Sequence, residues 1–228
     1  MSSPLIIGRF SVGIGDRFAH QAKAQLRACI LAAGHGADIV PVWNKSNREH
    51  TIIGSEPIST RTAADAAVKE LGWNGAYFLD ADHIRLETVE RFLPHCEFYT
   101  IDVADSIGKP AAPEAVKAFV DRHPELVGRI VIQDIAQPFE TTRAEIERVT
   151  AKFLLAVQDA GKIYRHIANA KGADRVITEV SRDETDSPQT PPELLVILVA
   201  LADEKVPVQT IETSVMTRPT PFAATMWR

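Results

Sequence analysis

Short apolar runs rich in β-branched and aromatic residues recur along the chain. They are separated by longer stretches in which apolar positions return every three or four residues. The short runs are LIIGRFSV (5–12), ADIVPVW (37–43), AYFLD (76–80), FYTID (98–102), RVITEV (175–180) and VPVQTI (206–211). Their length and composition predict strands, whereas the periodic stretches predict helices, and the alternation of the two is that of βα units around a parallel sheet. The helices carry start and stop signals. Asp16 precedes a helix over 17–33 that stops at Gly34, and Ser59 or Thr60 begins one that ends at Gly72. Pro113 suits the first turn of a helix over 113–123. Thr141 or Thr142 begins a long amphipathic helix through Ala170, and Pro191 and Pro192 open an almost wholly apolar helix expected to be buried. No repeat, low-complexity tract or linker divides the chain, so one domain is predicted.

The polar residues fall in a pattern too. After the second run comes WNKSNREHTIIGSEP (43–57), and the third ends in DADH (80–83). The fourth carries IDVAD (101–105), and the fifth leads into EVSRDETDSPQTP (179–191). In parallel α/β folds the C-terminal ends of the strands converge on one face, and in a (β/α) barrel that face holds the active site. Segments distant in sequence are thereby gathered into one candidate site.

Composition removes several function classes. With 45% hydrophobic and 24% charged residues the chain has the make-up of a globular domain, and a formal net charge of -5 with scattered Lys and Arg offers no basic patch for nucleic acid or anionic membrane. The N-terminal apolar run ends at Gly8 and Arg9, too soon for a signal-peptide core or a membrane span, so a cytoplasmic protein is expected. Two cysteines, Cys29 and Cys96, form neither a disulfide framework nor a CxxC knuckle and are expected as reduced thiols. GIGDRF (13–18) lacks the third glycine of a dinucleotide fingerprint, and no GxxxxGK[ST], GxSxG or HExxH occurs.

Within the gathered face, an imidazole beside carboxylates at Asp80, Asp82 and His83 suits a divalent metal or general-base chemistry, although an aspartate ahead of ETVERFL could equally cap a helix. Glu179 lies inside an apolar run, where an unpaired carboxylate is costly. It must face a polar mouth or meet a cation, and burial would let it donate a proton at neutral pH. Asn44, Lys45, Asn47, Arg48 and His50 form a set of donors able to hold a polyhydroxy acid, with a cation on the carboxylate and amides on hydroxyls. Asp183, Glu184 and Asp186 are more simply loop acids.

Six stretches, FSVGIGDRF, PVWNKSNREHTIIGSEP, YFLDADHI, FYTIDVADSIGKP, FLLAVQDAGKIYRHI and ITEVSRDETDSPQTPPELL, resemble in sequence the tagaturonate/fructuronate epimerase family, from about Phe10 to Ile211. The resemblance implies a metal-dependent TIM-type barrel that interconverts D-tagaturonate and D-fructuronate. Asp82 would be the proton acceptor, His83 a ligand of a divalent cation and Glu179 the proton donor. The inverted carbon bears a hydroxyl β to the ketone, so its own hydrogen is not acidified. Retro-aldol cleavage to an aldehyde and a metal-stabilised enediolate, then rotation and re-addition, is the chemically reasonable route. The expected substrates are keto-uronates or ketohexoses.

Six strands are fewer than the eight of a closed barrel. The chain is therefore expected to be a partial (β/α) barrel over 1–211, truncated before its closing strands, with an aperiodic tail over 212–228. An inactive fragment, one that pairs its open edges with another chain as a homo-oligomer, and a related sugar isomerase or class II-type aldolase are the competing expectations.

Overall fold

The computed structural model describes residues 3–181 and 189–211. The loop acids Asp183, Glu184 and Asp186 and the tail 212–228 lie outside the described residues. Six strands, β1 (Ser11–Gly13), β2 (Val40–Ser46), β3 (Phe78–Ile84), β4 (Phe98–Asp102), β7 (Ile177–Ser181) and β8 (Val208–Ile211), form one curled sheet in the order β1-β2-β3-β4-β7-β8. All five pairings are parallel. Among the described residues the sheet stays open between β1 and β8, which makes it the predicted partial barrel of α/β type. A two-stranded antiparallel ribbon, β5 (Gly128–Ile130) with β6 (Phe139–Thr141), interrupts the βα alternation, and no sequence signal was assigned to it.

The helices are α1 (Ala22–Gly34), α2 (Asn47–Ile53), α3 (Pro57–Leu71), α4 (Pro113–Arg122), α5 (Arg143–Lys171) and α6 (Pro191–Asp203). Three of them start at a capping box: Ser46 with Glu49 on α2, Thr142 with Glu145 on α5, and Thr190 with Glu193 on α6. Gly54 and Gly72 end α2 and α3 in the left-handed conformation that a side chain resists.

Several expectations need correction. The segment after β2, to which the sequence pattern assigns no element, forms α2 through its own capping box and Gly54. Helix α3 begins at Pro57, two residues before Ser59, since proline at the first position is already preorganised. Asp16 does not cap α1. Its carboxylate instead accepts from the backbone N–H groups of Phe18, His20 and Gln21, forming the turn that leads into the helix. Of the first apolar run only its last two residues are strand, in β1 (Ser11–Gly13). Leu5 and Ile7 reach across to the far end of the sheet, where the Ile7 N–H donates to Gln209 Oε1 at 3.0 Å and Gln209 Nε2 donates to the Leu5 carbonyl at 2.9 Å. Helix α6 packs on α5 but is not buried all round, and Leu198 is exposed, because among the described residues this helix has a helical neighbour on one side only.

Alternation along the strands sorts residues between two cores. Trp43, Leu79, Ala81, Tyr99, Ile101 and Val180 face the helices and join Leu26, Phe119, Phe153 and Ile197 in the main core. Val42, Phe78, Phe98 and Ile177 face inward, and Ile7 and Leu5 cover them. The inside of the half-barrel is thus plugged with hydrocarbon at the N-terminal ends of its strands. Cys29 and Cys96 are free and buried.

Candidate active site

One repeat above the apolar plug the inner face turns polar. Register pairs Asn44 with Asp80, and Thr100 with Glu179, while the next inward positions are Ser46 paired with Asp82 and Asp102 paired with Ser181. Ser11, Gly13, Val42, Asn44, Asp80, Asp82, Phe98, Glu179 and Thr210 line a cavity of about 290 Å³. Two carboxyls predicted from distant segments, Asp82 and Glu179, therefore share one small polar chamber with the amide of Asn44. Gly15 is needed at this wall for a steric reason: a Cβ there would sit 2.3 Å from the Asn44 carbonyl oxygen and 2.7 Å from its Oδ1. The second glycine of GIGDRF thus serves a close backbone approach.

The DADH stretch departs from regular strand geometry. Ala81 pairs with Tyr99 and Ile84 with Ile101, so β3 spends one residue more than β4 between these pairs. Both Ala81 and Ile84 pack on the helix side, which a regular strand cannot manage at an odd spacing. The bulge absorbs the extra residue, and His83 takes a left-handed φ of +49°. Backbone strain in a non-glycine residue at a strand end is characteristic of functional positions. His83 is half-buried, and its Nε2 lies 3.8 Å from Asp82 Oδ1, too long for a hydrogen bond.

Asp80 sits beneath this bulge with 7% of its surface exposed. Its Oδ1 accepts the Thr100 backbone N–H at 3.1 Å, and Oδ2 lies 2.9 Å from the Thr100 hydroxyl, which is also 3.1 Å from Glu179 Oε1. Burial first, then the neighbouring Asp82 and Glu179, hold the Asp80 carboxyl well above the usual carboxylate range, against the opposing pull of its bonds from Thr100. At the upper rim Arg85 binds Asp102 at 2.9 Å and also meets Asp105.

The expected substrate-binding residues divide. Asn44 lines the chamber. Lys45, next along β2, turns to the helix side, where it is 2% exposed and its Nζ has no hydrogen-bond partner among the described residues. The Asn47 Oδ1 accepts from Arg91 Nη1 at 2.8 Å, and Arg91 also donates to the Ser55 carbonyl and to Glu56. His50 is buried with Nδ1 2.8 Å from Ser55 Oγ, and Arg48 is exposed on α2. The structure thus brings together Asn44, Asp82 and Glu179, with His83 beside Asp82, and sets Asn47 and His50 in a second polar network behind β2, linked through Arg91 and Ser55, with the Lys45 charge nearby but outside it. Thr100 and Thr210 were missed; Thr100 stands two residues before Asp102 on a strand whose polar end was already noted, whereas no residue of VPVQTI had been singled out.

Among the described residues no group of three His, Cys, Asp or Glu is placed to hold a metal ion. His83 alone does not make a metal site, so the described residues do not by themselves fit a bound cation. Nor, among them, is any helix long and apolar enough to cross a membrane.

Residues 3–216 match the model of a family described as UxaE, tagaturonate epimerase. Solved structures of fructuronate-tagaturonate epimerase UxaE from Cohnella laeviribosi are similar. The form with two glycerols is 22% identical with a TM-score of 0.76, covering 94% of this chain and 46% of that one. The native form is 21% identical with a TM-score of 0.76, covering 95% and 45%. At that identity the likeness concerns the fold, and the chain spans less than half the length of those proteins. No curated protein matches.

Proposed function

Since the chain belongs to the tagaturonate epimerase family, we propose that it carries the acid/base half of an epimerase site interconverting D-tagaturonate and D-fructuronate. The observation that supports this reading most directly is the shared chamber: Asp82 and Glu179, one from each half of the sheet, with the Asn44 amide between plug and mouth. In the proposed route Asp82 takes the proton of the substrate hydroxyl at the carbon to be inverted. The adjacent C–C bond then breaks to an aldehyde and an enediolate, and the aldehyde turns over. Re-addition follows, with Glu179 protonating the new alkoxide from the other side. Asn44 would hold a substrate hydroxyl. The strained bulge fixes Asp82 and His83 against the strand end, which preorganises the base. His83 is proposed as one ligand of a divalent cation whose further ligands would lie outside the described residues, and no step above is drawn through that ion. A cytoplasmic location belongs to the same proposal.

The test is epimerisation of D-fructuronate by the purified chain, with and without added divalent cation, beside Asp82→Asn and Glu179→Gln. Cation-dependent turnover that falls by about 10²-fold or more in both variants supports the assignment. A folded wild-type chain without turnover would show that these six strands do not suffice, and undiminished turnover in either variant would remove that residue from the mechanism.

A further inference from the structure

The Thr100 hydroxyl lies within hydrogen-bond distance of two carboxyls at once, Asp80 Oδ2 at 2.9 Å and Glu179 Oε1 at 3.1 Å. A threonine hydroxyl has one proton to give and lone pairs with which to accept. It can therefore donate to only one of them, and the other contact is a hydrogen bond only if that carboxyl carries a proton. Asp80 is the one suited to carry it. It is the more deeply buried, its second oxygen is already taken by the Thr100 amide, and among the described residues it bonds to no cation. A protonated Asp80 donates to Thr100 Oγ1, and Thr100 donates onward to Glu179, so both contacts of the Thr100 hydroxyl are hydrogen bonds.

We propose that Asp80 and Glu179 share one ionisable proton through the Thr100 hydroxyl, and that Asp80 is a positioning residue that sets the proton inventory of Glu179. The transfer balances. The Asp80 Oδ2–H bond breaks as a new H–Oγ1 bond forms, and the original Thr100 proton passes to Glu179 Oε1. Asp80 ends as the carboxylate and Glu179 as the acid, with no change of net charge. The groups facing Asp80 are Asp82 on its own strand, Glu179 on β7, and Cys96 and Tyr99 around the start of β4. Across β2 its partner Asn44 is uncharged. No cation among these neighbours competes for the proton. The catalytic meaning of the relay rests on the proposed role of Glu179, whereas the sharing itself belongs to the chain alone.

The test is a pH titration of the side-chain carboxyl carbons of the full 228-residue chain by ¹³C NMR, in the wild type, Thr100→Ser, Thr100→Val and Asp80→Asn. The wild type and Thr100→Ser are expected to show Asp80 protonated at pH 7, with the Glu179 carbon responding at the Asp80 step as well as at its own. Thr100→Val abolishes that cross-response. Asp80→Asn, whose amide can donate to Oγ1 while its oxygen accepts the Thr100 N–H, folds and leaves Glu179 with a single step. An ionised Asp80 at pH 7, a cross-response that survives Thr100→Val, or an Asp80→Asn chain that fails to fold would each overturn the proposal. Should Thr100→Val not fold, Asp80→Asn decides the matter. Coupled carbons without epimerase turnover would sink the functional reading alone, and turnover without coupling would sink the relay alone.

Discussion

The buried histidine behind β2 makes the protein acid-sensitive by an amount that can be worked out. His50 is 1% exposed, its Nδ1 is engaged by Ser55, and its ring packs 5.7 Å from that of Phe92. Burial, and next the charges of Lys45 and Arg91, lower its pKa from 6.5 to about 4, with Glu56 opposing. A histidine whose folded pKa lies below its unfolded one binds fewer protons in the native state. The associated stability is therefore present above pH 6.5 and is lost as pH falls toward 4. With those two values the linkage relation gives a loss of about 2 kcal/mol between pH 7 and pH 5, and roughly 3 kcal/mol once the ring is protonated in both states. The perturbation is His50→Asn, whose short amide can occupy the place of Nδ1 beside Ser55. Packing loss will lower stability at every pH, so the quantity to read is the change with pH. Urea midpoints for both chains at pH 7 and pH 5 should show the wild type losing about 2 kcal/mol more than the variant. Equal losses would refute the reasoning, because every other titrating group is common to the two proteins.

Two further outcomes follow from the same geometry. Gly15→Ala should cost about 1–3 kcal/mol by overpacking against Asn44, read as a lowered urea midpoint, and an unchanged midpoint would mean the wall yields freely. Lys45→Met should stabilise the fold at pH 7 by about 1–3 kcal/mol, since the removed ammonium is buried without a hydrogen bond to any described residue, its pKa lowered by burial against the pull of Glu49 and Asp16. If epimerase turnover falls sharply in a stabilised Lys45→Met chain, the lysine has a substrate role that its helix-side position does not suggest.

The sheet was legible because each strand is a local event. Runs such as AYFLD and FYTID name themselves by composition, and parallel order follows from the helices between them. The convergence of Asp82 and Glu179 was legible for the same reason, since strand polarity alone gathers C-terminal ends. What escaped was geometry that depends on neighbours. The bulge at Asp82–His83 arises from the mismatch between β3 and β4, which neither strand encodes alone. Lys45 looked like a ligand in a list of polar residues, and only the pleat of β2 sends it to the opposite side from Asn44. Helix α2 was hidden by polar composition, although Ser46 and Glu49 already spelled a capping box.

The clasp between Leu5, Ile7 and Gln209 bears on the order in which the molecule assembles. Every ladder of the sheet joins a strand to the next one available along the chain, so the sheet can grow from one edge to the other. The clasp alone joins the beginning of the chain to its last described strand, across 202 residues from Ile7. The added closure entropy over the longest-range ladder, Phe98 with Ile177, is under about 1 kcal/mol, because the penalty grows only with the logarithm of loop length. Timing is affected more than stability. The Ile7 amide, bonded to Gln209, can be protected only after β8 has docked, whereas the Leu5 amide donates to the Asp174 carbonyl, so the Ile7 side of the chamber floor is the last part of the half-barrel to be laid and the first to lift when β8 frays.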